Sequence, residues 1–297
     1  PLVGEVWYNS TSGTVKYFGV LSAAWSTGGT MATAGNNLAG AGTQTAGLAF
    51  GGEPAVTGTA ATEEYNGSAW TTGGSLGTAR DRLAGAGTQT AGLAFGGLNY
   101  PTALAATEEY NGSAWTAGGS LGTARYQLGN AGTQTAGLAF GGKTPSDTTA
   151  TEEYDGSSWT AGGALGTAKN RLGGCGTQTA GLGFGGDPGN SDTTEEYNGT
   201  SWTAGGTMNL GRSLLAGAGT QTAGLGFGGP GGIGGISTEK YDGTSWTTTS
   251  SMNTARGELA GAGLQPAALA FGGGPPAAGA TEEYDGGGPA TLTVGTD

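Results

Sequence analysis

"ATEEYNGSAWT" fills residues 61–71, recurs unchanged at residues 106–116, and returns as "ATEEYDGSSWT" at residues 150–160. The tyrosines closing this phrase and its variants are Tyr65, Tyr110, Tyr154, Tyr197, Tyr241 and Tyr284, spaced by 45, 44, 43, 44 and 43 residues. A fixed period of about 20–50 residues marks solenoids, propellers and arrays, whose units bury their apolar faces against one another. Each phrase also follows a Gly-Gly pair, from Gly51-Gly52 to Gly272-Gly273.

Working outward through the second unit, four short extended segments can be placed: residues 82–88, 91–95, 106–110 and 113–117. Asn111-Gly112 joins the last two and reads as a type I′ turn, which needs positive φ at both central residues. Asp155-Gly156, Asp242-Gly243 and Asp285-Gly286 are read the same way. Asn66-Gly67-Ser68 is a glycosylation sequon as well, but the turn explains it sufficiently. Ala and Gly dominate the first two segments. Glycine disfavours helix by about 1 kcal/mol per residue and no 3.6-residue stripe occurs, so the units are strands. Small side chains suit inner strands crowded around an axis, and Tyr and Trp then fall on outer strands, filling the space between wedge-shaped blades. A buried aromatic hides about 150–250 Å², roughly 4–6 kcal/mol gross at about 25 cal/mol/Å².

Trp25, Trp70, Trp115, Trp159, Trp202 and Trp246 hold the fourth-strand position, and no Trp follows the sixth phrase. The missing strand stands at the other end of the chain, as "LSAAWSTGG" at residues 21–29. We expect an all-β, six-bladed propeller whose last blade takes its fourth strand from the N-terminal side, which leaves no sheet edge exposed. This divides the chain into an N-terminal β-hairpin (residues 1–18), the propeller (19–286) and a C-terminal strand or tail (287–297), with residues 290–294 left over as an additional strand. The hairpin, "GEVWYNSTSGTVKYF" at residues 4–18, pairs residues 5–8 with 14–18. An isolated hairpin is marginal in water. It needs a partner, either residues 290–294 or a neighbouring protein, and Trp7, Tyr8, Tyr17 and Phe18 are its candidate assembly contacts.

Composition excludes several functions. Among 297 residues there are 68 Gly and no His, and the net charge is −12. Without His there is no imidazole base, no His-ligated metal and no Ser-His-Asp arrangement. The single Cys, Cys175, excludes an internal disulfide and reads as a small buried residue in place of Ala. An acidic chain with no Lys/Arg cluster does not fit nucleic acid. No apolar run approaches a membrane span and no signal-peptide pattern opens the chain, so membrane insertion is not expected. The chain opens on Pro1, which reads as a processed or partial product.

The order "FGG…TEEY…W…GTAR", running over nearly the whole chain, resembles the kelch motif, with units shorter than the roughly 50 residues usual there. The WD-type signatures, Gly-His and Trp-Asp, do not occur. The kelch resemblance implies a propeller of four antiparallel strands per blade; the copper oxidases of that group use His ligands, which this chain lacks. The lead-in "GEVWYNSTSG" followed by "LAGAGTQTAGLAFGG" arrays is similar to virion and tail-fibre-like proteins of tailed bacteriophages, especially marine ones. That resemblance implies a non-enzymatic structural component on the virion surface, with other virion proteins as partners. The alternative is a cellular kelch-type adaptor for a protein partner. Homo-oligomerisation is left open.

Loops joining strands one to two and three to four lie on one face of such a ring and are monotonous. Those joining strands two to three lie on the other face and differ in wording and length. Such variation on a rigid scaffold suits recognition, and relaxed constraint on solvated loops would produce it too. Asn99, Tyr100, Lys143, Asp147, Asp187 and Asp192 are the candidate contacts for a host-surface glycan or protein. No spacing in "DPGNSDT" supports calcium, and no metal or cofactor is expected. Glu63 and Glu64 are adjacent on a strand and point to opposite faces, so they do not make a glycosidase pair. One of each such pair is expected to bridge to Arg80, Arg125, Arg212 or Arg256, the other to be solvated. A carbohydrate-active enzyme is accordingly disfavoured.

Overall fold

The structure is a computed structural model that describes residues 5–11, 14–54, 57–230, 233–274 and 278–294. After a hairpin of β1 (Val6–Asn9) and β2 (Thr14–Leu21) comes β3 (Ala24–Thr27). The first blade then follows as β4 (Ala39–Thr43), β5 (Ala46–Phe50), β6 (Thr62–Tyr65) and β7 (Trp70–Thr72). These four strands form one antiparallel meander with Ala39 opposite Phe50, Leu48 opposite Glu64 and Tyr65 opposite Trp70. Five further four-stranded sheets complete a six-bladed β-propeller among the described residues.

Blade six is built from both ends of the chain, as the missing Trp required. Its first three strands are Ala260–Leu264, Ala267–Phe271 and Thr281–Asp285, and its outer strand is β3, with Tyr284 opposite Trp25. The C-terminal strand, Gly288–Val294, pairs along β2 from Leu21–Gly288 to Val15–Val294, making a three-stranded sheet with β1. The hairpin's partner is therefore within the chain. The expected start of the hairpin at residue 4 and its turn at 12–13 lie outside the described residues.

Inner strands pack closely, and glycine shows why. A Cβ on Gly40 would sit 2.4 Å from Cζ of Phe271, and one on Gly85 2.5 Å from Cζ of Phe50. The phenylalanine of one blade thus occupies the space a side chain would need on the next. Blade three departs from the pattern with Asn130, whose amide donates to the Gly85 carbonyl of blade two.

Between blades the same three contacts repeat. Trp115 packs its ring 4.9 Å from Phe50 of the preceding blade and donates its indole N–H to Thr62 there at 3.0 Å. Tyr110 donates to Glu64 at 2.6 Å, and Gln89 Nε2 donates to the carbonyls of Gly47 and Tyr65 at 3.0 and 2.6 Å. The second glutamate of each pair is therefore the acceptor for the next blade's tyrosine; it is not simply solvated as expected. In five blades the first glutamate is buried as an ion pair: Arg80–Glu108, Arg125–Glu152, Arg212–Glu239 and Arg256–Glu282 lie at 2.8–3.0 Å, and Lys169–Glu195 at 3.8 Å.

Two local expectations are corrected. The Asn-Gly turn is a four-residue loop, because Tyr110 pairs with Trp115 and not with a residue nearer the turn. Gly112 takes φ of 88°, while Asn111 stays outside the left-handed region and accepts the N–H groups of Ser113 and Ala114 at 3.0 and 2.9 Å. An asparagine carboxamide that mimics a backbone turn removes the need for a second positive φ. Strand one of blade two starts at Ala84, since Arg82 bends the chain with φ of 53°.

Candidate functional site

The bend at Arg82 recurs in every blade, just before the leucine that leads strand one. Asn37, Arg82, Gln127, Arg171, Leu214 and Glu258 all take φ of 53–57°. Left-handed backbone costs a non-glycine residue about 1–2 kcal/mol, and a closed circle of hydrogen bonds offsets it. Arg82 N–H donates to the Asn37 carbonyl, Gln127 to Arg82, Arg171 to Gln127, Leu214 to Arg171, Glu258 to Leu214, and Asn37 to Glu258, at 2.8–3.0 Å. Six consecutive blades thereby fix one rigid collar around the axis. Directly within it a ring of Leu38, Leu83, Leu128, Leu172, Leu215 and Leu259 lies between the mouth and an inner channel lined largely by Gly and Ala.

Beside this collar, on the variable-loop face, is a cleft of about 440 Å³ lined by Glu53, Asp81, Arg82, Leu98, Tyr100, Tyr126, Gln127, Lys143 and Arg171. That volume is in the range of small-molecule sites. Of the ten basic residues, five are sunk in the blade ion pairs, Lys240 donates to the Gly286 carbonyl, and Lys16 lies on β2. The other three, Arg82, Lys143 and Arg171, all border the cleft. Arg82 is held by Asp81 at 2.7 Å and Glu53 at 3.3 Å, and Arg171 by Asp187 at 3.2 Å. Burial pushes the Asp81 carboxyl up to about 6, with Glu53 and Glu258 adding to the rise and Arg82 opposing it.

Six loop residues were expected here, and the structure separates them. Tyr100 and Lys143 line the cleft. Tyr100 is 76% exposed at the tip of a short ribbon in which Leu98–Asn99 pairs with Thr102–Ala103; Asn99 is on that ribbon but does not line the cleft. Lys143 is fixed by reciprocal backbone bonds to Tyr126 at 2.8 and 3.1 Å. Asp187 reaches the site only through Arg171. Asp147 is engaged by the Asn170 amide at 2.9 Å, and Asp192 is exposed away from the cleft lining.

Glu53, Asp81, Arg82, Tyr126, Gln127 and Arg171 were not anticipated. A signal existed: the two positions before the repeating Leu read Asn-Asn, Asp-Arg, Tyr-Gln, Asn-Arg, Ser-Leu and Gly-Glu in an otherwise uniform array. On the hairpin, Trp7 is half-buried and Tyr8 is 63% exposed, whereas the side chains of Tyr17 and Phe18 lie outside the described residues. Among the described residues no cluster of three metal-ligating side chains occurs. No protein-family model matches the chain, and no curated protein matches it.

Proposed function

We propose that this chain is a non-enzymatic, kelch-like recognition and structural module on the surface of a tailed-phage virion, and that the cleft beside the collar binds a host-surface glycan. The observation that carries the reading is the composition of the cleft. Tyr100 and Tyr126 supply flat apolar faces for a sugar ring, while Arg82, Arg171, Gln127, Asp81 and Glu53 supply planar donors and acceptors for hydroxyl groups. Arg82, Gln127 and Arg171 stand on the hydrogen-bonded collar, so little backbone ordering remains to oppose their binding. Val6, Tyr8 and Val20 expose apolar surface on the hairpin sheet, each by 60% or more, which suits docking against another virion protein.

The test is binding of the purified protein to a panel of bacterial surface polysaccharides, with Tyr100→Ala and Arg171→Ala as variants. Loss of binding at unchanged Tm is the expected result. Undiminished binding by both variants would exclude the cleft. For the structural role, virions carrying a copy without residues 1–18 should lack the protein; normal incorporation would count against attachment through the hairpin.

A further inference from the structure

Four blades hold a buried arginine in one socket. In blade two, Arg80 Nη2 donates to Glu108 at 2.8 Å, while Nη1 donates to the carbonyls of Ala106 and Gly96 at 2.8 and 3.2 Å. Blade four fills the same place with an ammonium group, Lys169, against Glu195 and the Thr193 hydroxyl. Blade one has the socket without the cation. Gly35 stands where the arginine would be, 16, 26 and 28 residues before Gly51, Ala61 and Glu63, the same spacings that separate Arg80 from Gly96, Ala106 and Glu108.

Glu63 is nonetheless buried, with 3% of its surface exposed. Its carboxylate accepts the N–H groups of Ala32 and Thr33, both at 2.8 Å, and no Lys or Arg pairs with it among the described residues. A void bordered by Met31, Thr33, Gly35, Phe50 and Glu63 remains, about 10 Å³ for the centre of a water-sized sphere. That is room for a single small group. The Thr33 contact does not block a larger cation. Blade six has the related segment Met252–Arg256, where Thr254 N–H reaches Glu282 at 3.3 Å while Arg256 reaches the same oxygen at 3.0 Å.

We infer that this void is a binding site for an ammonium ion, completing in blade one the charge pair that the other blades complete with a side chain. The site lies at the seam where the ring closes, because Met31 and Gly35 donate to the carbonyls of Gly279 and Ala278 in blade six. Cation binding should therefore stabilise closure.

Thermal unfolding in millimolar ammonium chloride, matched in ionic strength with sodium chloride, tests this. Gly35→Arg is the control that fills the socket. A Cβ at residue 35 meets nothing nearer than 3.9 Å, so the substitution makes no clash at its first side-chain atom. Wild-type Tm should rise saturably, by about 3 °C at ten times Kd, with no rise in Gly35→Arg. Glu63→Gln, read against its own cation-free Tm, should also lose the effect. Equal responses of wild type and Gly35→Arg to ammonium would overturn the inference. So would an equal rise with tetramethylammonium, which has no N–H donor and is too large.

Discussion

Arg125 illustrates how one side chain of the repeat works. It is fully buried, with Nη2 on Glu152 at 2.9 Å and Nη1 on the Ala150 and Gly141 carbonyls at 2.8 and 3.3 Å. Removing one partner of a buried pair costs about 3–5 kcal/mol, because the other charge is left in the interior. Arg125→Ala should show that loss in urea unfolding, and Arg125→Met combined with Glu152→Gln should lose less. Asp81 gives a pH signature. With its folded value raised to about 6, the native state holds a proton that the unfolded chain releases from about pH 4 upward. Stability from this group is highest at low pH and falls as pH rises through that window. Asp81→Asn should match wild type near pH 4, gain relative Tm up to about pH 6 and stay level above. Cys175 is buried, and desolvation pushes its thiol up to about 12. It should stay inert to thiol reagents until the protein unfolds, in line with the sequence reading of a small core residue. The buried arginines were legible as partners of a glutamate. Which glutamate, and what the other one does, was not, because that depends on the blade next door.

At the scale of elements, β3 and the hairpin do different jobs. β3 supplies blade six with Trp25, whose ring packs 5.1 Å from Phe227 and 5.0 Å from Tyr284 and whose indole donates to Thr238 at 3.1 Å. The β1–β2 hairpin contributes no strand to a blade. A protein lacking residues 1–18 should keep its circular dichroism spectrum and most of its Tm, and only the strand Gly288–Val294 should lose its partner. Strand existence and order were readable from the period and the turn residues. Strand ends were not: Asn111 makes its turn with its side chain, and Arg82 leaves strand geometry to join the collar.

For the whole molecule, closure rests on a few long-range contacts. Gln44 donates to Tyr284 O at 2.7 Å, Trp70 to Thr281 at 2.9 Å, and Tyr65 to Glu283 at 2.6 Å, all between blade one and blade six. Trp25→Ala removes a buried aromatic from the blade that joins the ends and should cost about 3–5 kcal/mol. Deleting residues 1–27 removes the outer strand of blade six outright. The exposed edge should then drive self-association, visible as concentration-dependent size in light scattering.

The sequence by itself determined the number of blades, the meander within each, and the sharing of the last blade between the two ends. Those follow from local propensity and from a period that leaves a Trp-bearing strand over at the N-terminal side and a blade short of one at the C-terminal side. The tertiary structure alone decided the collar, the pairing of β2 with the C-terminal strand, the cleft and the empty socket beside Glu63. Each of these depends on which side chains from different blades converge once the ring curves shut. Curvature around an axis brings together residues about 45 positions apart in the chain, and no local pattern records which of them will face a common space.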